Sequence, residues 1–344
     1  MHVSLIVPAP FETISGGYGY DRRIVAGLRA LGHAVDVLPL PGRFPVADQT
    51  ARDAACSAWD TLPADTRPVV DGLALHAFSG MGDALAARGC IGLVHHPLSV
   101  ETGLDAELVE AIRQDELLLF RRMKRVITTS QTTAELLTSG FQIDPARLSV
   151  VEPGTDIAPR SVGSGGPTCR ILSVGTVVPR KGHDLLLRAL ARLFDLDWHL
   201  TVVGALDRDP VCAHGVLALA ETLNVQQRVT FLGEVGEAEL ADHWAAADVF
   251  ASATRFEGYG MAVAEAIRRG LPVVVTDGGA VGRLITPECG AVCPLDDLDQ
   301  LSKTLRRLIF DRGLRSMMAE AAWVRGQSLP RWEDQSALFA AALA

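Results

Sequence analysis

Two runs, Arg170-Ile-Leu-Ser-Val-Gly175 and Trp198-His-Leu-Thr-Val-Val-Gly204, flank the helical stretch Asp184–Phe194, and together they decide the fold class. A short apolar run ending at glycine, an amphipathic segment and a second such run make one βαβ unit of a parallel sheet. The pattern continues outward. Arg228–Leu232, Asp248–Ala251 and Pro272–Thr276 read as strands after it; His2–Val7, Ala34–Leu38, Cys90–Val94, Arg125–Thr129 and Leu148–Val151 read as strands before it. Tyr20–Leu31 and Ala238–Ala246 read as helices among them. The expected architecture is α/β, with two doubly wound domains at 1–160 and 168–327. A flexible linker, Pro159–Pro167, would join them, and 328–344 would form a closing helix that packs back on the first domain.

Composition narrows the function. With 32 Lys+Arg against 41 Asp+Glu the net charge is −9, which argues against a general nucleic-acid binder, since that requires a positive surface. No apolar run reaches the roughly 20 residues of a membrane span, and Met1–Pro8 lacks the basic start of a signal peptide. A cytoplasmic protein is expected. Cys56, Cys90, Cys169 and Cys212 read as buried thiols, and Cys289 and Cys293 lack the second ligand pair that zinc requires, so no metal is expected.

Glycine and small polar residues follow the strands, at Gly175, Gly204, Ser252 and Thr276 and at the pair His95-His96. Ligands of open α/β sheets bind outside those strand ends, so a ligand in a cleft served by both halves is expected. The sharpest motif is Arg255-Phe-Glu257-Gly258-Tyr-Gly260-Met-Ala-Val-Ala-Glu265, a tight glycine loop running into a helix. Glu265, among Ala262, Val263, Ala264, Ala266 and Ile267, reads as a carboxylate on a buried helix face. It needs either ligand hydroxyls or a salt bridge to Arg268, Arg269 or Arg283. Gly175-Thr-Val-Val-Pro-Arg180-Lys181-Gly-His-Asp184 sets two cations ahead of a helix N-terminus, a combination suited to a diphosphate. Gly16-Gly17-Tyr-Gly19 after the first strand reads as a glycine loop open to a ligand. Leu117–Arg125 joins an apolar run to four cations. A helix with one core face explains that pattern, and a peripheral membrane contact is the alternative.

Taken together these motifs resemble the retaining glycosyltransferases of family four, over nearly the whole chain. The resemblance rests on Glu257 and Glu265, spaced as that family's E-x7-E motif, and on the Gly278-Gly279 turn that follows. It implies the GT-B fold, two facing Rossmann-like domains with a cleft between them. It also implies transfer of a sugar from a UDP- or GDP-linked donor to a sugar or lipid-linked acceptor, with no further cofactor. Under it Glu265 binds the ribose, Glu257 the donor sugar, and Arg180 and Lys181 the diphosphate. The Gly16-Gly17 loop approaches the diphosphate, and His96 faces the sugar. Val151-Glu-Pro-Gly-Thr-Asp156 matches the family only in part. A sugar-nucleotide epimerase of the same fold and a non-catalytic nucleotide-sugar binder are the competing readings. A nicotinamide dehydrogenase is disfavoured, because the G-x-G-x-x-G fingerprint is missing.

Overall fold

The computed structural model describes residues 1–103 and 105–344. It divides into two units, Met1–Gly154 with Pro330–Ala344, and Thr155–Leu329. Unit 1 contains β1 (His2–Pro8), α1 (Gly16–Ala30), β2 (Ala34–Leu40), α2 (Gln49–Thr61), β3 (Thr66–Asp71), α3 (Gly82–Ala87), β4 (Ile91–Val94), α4 (Ala106–Arg122), β5 (Arg125–Thr128), α5 (Gln131–Phe141) and β6 (Leu148–Val150). Unit 2 contains β7 (Cys169–Val174), α6 (His183–Ala191), β8 (Trp198–Val203), α7 (Pro210–Thr222), β9 (Val229–Gly233), α8 (Glu237–Ala246), β10 (Val249–Ser252), α9 (Met261–Arg268), β11 (Val273–Thr276), β12 (Gly290–Cys293), α10 (Leu298–Phe310) and α11 (Arg312–Gln327). The last helix, α12 (Trp332–Ala342), returns to unit 1.

Each unit is built on a six-stranded sheet, in the orders β2-β1-β3-β4-β5-β6 and β12-β11-β10-β7-β8-β9, and the strand pairs are parallel. The strand order reverses between β1 and β3 in unit 1, and between β7 and β10 in unit 2. Loops diverge at such a switch point and leave a crevice outside the strand ends, so the topology fixes where each unit can hold a ligand. Side chains of Ser15, Asp48, Asp105, Ser130 and Asp209 accept the first free N–H groups of their helices and set where those helices begin.

The structure departs from the sequence expectation in several places. β3 and β12 carry weak strand signals, because Pro68 lacks an N–H and Gly290 has no side chain to pack; both strands are nevertheless paired, β3 centrally. The glycines at 16, 17 and 19 form the first turn of α1 instead of a loop, since Ser15 Oγ accepts from Tyr18 N and Ser15 O from Gly19 N. Pro159–Pro167 is not a free linker. Ser161 N donates to Arg269 O, Ser161 Oγ to Ala245 O and Ala247 O, and Ser164 N to Asp248 Oδ1, so the segment is tied along unit 2, and the division falls at Gly154–Thr155. All six cysteines are free, and Cys56, expected to be buried, is exposed. In α4, Leu119 and Phe120 are buried, whereas Arg122 pairs with Asp83 at 3.0 Å and Arg121 with Gln142 at 2.9 Å. No described helix is long and apolar enough to cross a membrane.

α12 seats against α1 where glycine permits it. A Cβ at Gly27 would lie 1.9 Å from Ser336 Oγ, and one at Gly154 would lie 2.3 Å from Trp332 N. The Trp332 ring packs edge-on against Tyr20 at 5.8 Å. Gly27→Ala is therefore expected to destabilise unit 1 by ~1–3 kcal/mol through overpacking. Calorimetry should show its midpoint fall and partly recover on adding Ser336→Gly. An unchanged midpoint would refute this seating of α12.

Candidate functional site

At the switch point of unit 2, three loops converge. The loop after β7 carries Arg180 and Lys181, the loop after β10 carries Arg255 and Glu257, and the loop after β11 carries Gly278 and Gly279. Glu257 is pinned through its backbone: its N–H donates to Gly278 O at 2.9 Å, and its carbonyl accepts from Ala280 N at 2.9 Å. A Cβ at Gly279 would lie 2.4 Å from Glu257 O, so only glycine fits there. The Glu257 carboxylate lies between two cations, accepting from Lys181 Nζ on Oε1 and from Arg180 Nη1 on Oε2 at 3.4 Å. All three side chains are less than a fifth exposed, so the charges interact through a medium less polar than water.

A second pair clamps the same loops. Arg255 donates to both Asp184 oxygens, at 3.0 and 2.8 Å, and to Pro179 O at 2.6 Å. Burial alone would raise the Asp184 carboxyl, but the hydrogen bond and charge of Arg255 hold it below the usual range. His183, at the head of α6, is pushed down to about 4 by burial and by Lys181, so it is neutral at physiological pH. Two helices begin at this cluster without a side-chain cap, α6 after Gly182 and α9 after Gly260. Their first N–H groups and partial positive charge point to an anion site.

The structure thus brings Arg180, Lys181 and Glu257 into contact, with Gly258 and Gly260 in the adjoining loop. Gly175 makes room for the lysine, since a Cβ there would lie 3.2 Å from Lys181 Cε. Gly204 has a packing reason of its own, because a Cβ would meet Gly175 O at 2.2 Å. Glu265 is half-buried, not enclosed as its apolar neighbours suggested, because α9 leaves it on the less covered side together with Met261 and Ala262; Arg269, one turn on, feels its charge. Arg255 and Asp184 were not singled out from sequence, although both lie inside the quoted motifs.

Unit 1 has a charged cluster at its own switch point. Asp21 on α1, Asp71 at the end of β3 and His95 after β4 meet around one atom: His95 Nε2 lies 3.2 Å from Asp21 Oδ1 and 3.3 Å from Asp71 Oδ2. Both aspartates are buried. Among the described residues this is the His/Cys/Asp/Glu group with metal-ligand spacing, its ligand atoms lying within 4.8 Å of one another. Burial alone would lower the imidazole, but the two carboxylates outweigh it and push His95 up to about 10. Burial, then the charge of Asp71, pushes Asp21 up to about 6. The imidazolium is itself the cation of the cluster. Gly17 borders it, a Cβ there lying 3.5 Å from His95 Cδ2. His96, the histidine favoured from sequence, instead has Nε2 3.0 Å from Glu101 Oε1. Gly16, Gly17 and His96 therefore belong to unit 1, and the Glu257 cluster to unit 2.

Because the folded state raises the His95 pKa above its unfolded value of about 6.5, folded protein binds the extra proton, and stability falls as pH rises above that value. Between pH 7 and 9 the midpoint of unit 1 is expected to decline, and Asp71→Asn should flatten the decline. Equal slopes in the two proteins would mean that His95 is not charged in the fold.

Residues 156–324 match the family described as glycosyl transferases group 1. A D-inositol 3-phosphate glycosyltransferase of Mycobacterium sp. (strain KMS) is 33% identical over 171 residues, which cover 46% of this chain and 38% of that protein. The match thus spans well under half the length of that relative. Among solved structures, sucrose-phosphate synthase from Thermosynechococcus elongatus superposes with a TM-score of 0.82 at 18% identity, over 99% of this chain and 97% of that one. Anabaena HepE in complex with UDP and glucose does so at 0.76 and 17%, over 99% of each chain. At such identities these likenesses establish the fold, GT-B, with its two Rossmann-like units. Residues 156–324, just under half of the chain and with the Glu257 motif inside that span, are the part that matches the group 1 glycosyl transferases.

Proposed function

We propose that the protein transfers a sugar from a nucleotide-diphosphate donor to an acceptor hydroxyl, with retention of anomeric configuration and without a metal. The observation that carries this reading is the Arg180–Glu257–Lys181 cluster set at two uncapped helix starts. A relative named as a glycosyltransferase and a structural neighbour holding UDP and glucose support it.

In this reading the diphosphate lies against the α6 N-terminus, where Arg180 and Lys181 neutralise the charge that grows as the bond from anomeric carbon to phosphate oxygen breaks. Those side chains and the helix dipole do the work a divalent cation would do. Glu257 has two tasks: it aligns Lys181 and Arg180 beforehand, and it accepts hydrogen bonds from hydroxyls of the donor sugar. Glu265 hydrogen-bonds the ribose. The acceptor oxygen bonds to the anomeric carbon on the face the diphosphate leaves, and its proton passes to the departing phosphate oxygen. Trapping of a covalent glycosyl-enzyme would overturn this front-face step. The donor base is uracil or guanine, no additional cofactor is used, and the acceptor is a sugar or lipid-linked hydroxyl.

Thermal unfolding in EDTA tests the donor assignment. UDP or GDP at 100 times its Kd is expected to stabilise by about 2.7 kcal/mol, whereas ADP does not. No shift with any of the three would remove the reading.

Lys181→Ala should lower kcat/KM by ~100-fold or more with the unfolding midpoint retained. Glu265→Ala should weaken nucleotide binding by ~1–3 kcal/mol. A full rate in the lysine variant would dismiss the diphosphate contact.

A further inference from the structure

Parallel strands covered by helices on both faces read as continuous apolar runs. β7, β8 and β9 do not. Cys169 and Ile171, Trp198, Leu200 and Val202, and Val229 face one hydrophobic core of unit 2. The alternate positions are Arg170, His199, Thr201 and Thr230. Further along the same face, Leu172 and Val203 are sealed with Trp244 of α8 in the second core. The polar positions extend beyond what α8 covers, and a groove of about 490 Å³ opens there, lined also by Thr168 and His243. It lies at the strand starts. The four residue steps from Arg170 to Val174 span roughly 13 Å, so the groove and the Arg180–Lys181 loop lie at opposite ends of the sheet.

The charge in this groove is one-sided. None of its lining residues is acidic, in a chain with 41 carboxylates. Two carboxylates border the groove and are engaged by hydrogen bonds there: Asp197 Oδ2 accepts from Thr168 Oγ1 at 2.7 Å, and Asp248 accepts from Ser164 N and Arg170 N through its two oxygens. The Arg170 side chain is exposed. His199 Nε2 lies 2.9 Å from Thr230 Oγ1. Burial first, then Arg170 and Arg228, lower the pKa of this imidazole, so Arg170 is the charged side chain of the lining.

We propose that this groove is a second binding site of unit 2, for a small solute bearing a phosphate monoester. A guanidinium fork grips such a group through two parallel hydrogen bonds. The hydroxyls of Thr201 and Thr230 and the rings of His199 and His243 supply further hydrogen bonds, and the volume leaves space for the esterified alcohol, as small-molecule sites of this size do. The site goes beyond the donor reading and stands without it.

The test follows the His199 and His243 ring protons by NMR in the full chain, with UDP present to saturate the donor site. Inorganic phosphate and glucose 6-phosphate are titrated in, with glucose and sodium chloride at matched ionic strength as controls. Both phosphates are expected to move the resonances saturably, the ester more tightly. They should also raise the apparent His199 pKa by about half a unit or more, since a bound anion favours the imidazolium. R170Q should abolish the shifts while leaving the unfolding midpoint and the UDP response unchanged; T201V, on the same face, should weaken them several-fold. Resonances that stay fixed, shifts equal in R170Q, or shifts reproduced by glucose or by salt would each overturn the proposal. Loss of the UDP response alone would count against the donor reading and leave this site standing.

Discussion

The arrangement of unit 2 depends on how Glu257 is held. Its backbone is locked to the Gly278–Gly279 turn, and from that fixed point its carboxylate reaches both Arg180 and Lys181. A carboxylate held this way organises two cations that would otherwise repel each other at the head of a helix. It does so at a cost, since three charges are largely withdrawn from water. The Arg255–Asp184 clamp, at 2.8 and 3.0 Å, joins the same two loops a second time and keeps that geometry from relaxing. Such preorganisation suits a reaction in which charge develops on a leaving group, because the dipoles are already aligned when the charge appears.

Topology explains why those loops meet at all. β7 and β10 are neighbours in the sheet although about eighty residues separate them in the chain, and the reversal of strand order between them leaves their following loops side by side. The same rule, applied to β1 and β3, accounts for the cluster of Asp21, Asp71 and His95. The two clusters differ in sign. In unit 2 two cations share one carboxylate, and in unit 1 two buried carboxylates share one imidazolium. Neither leaves a lone buried charge, the condition under which buried ions are tolerated.

The alternation of strands and helices was legible in the chain alone, and so were the motifs that carry Arg180, Lys181 and Glu257. Strand period, terminal glycines and the loop-to-helix spacing are local properties that the chain displays directly. It also showed Gly16 and Gly17 after the first strand, although not that Ser15 caps them into a helix. The rest depended on folding, because the contacts that matter join residues remote in sequence. Asp71 was invisible because Pro68 hides its strand, and with it went the reason to prefer His95 over His96. The burial of Glu265 depends on which edge of α9 faces the sheet, and neighbouring residue types do not report that. Pro159–Pro167 has a linker's composition, yet it is held by carbonyls of Ala245, Ala247 and Arg269 that only folding brings within reach. Composition sets what a segment is able to do, and the partners that arrive on folding set what it does.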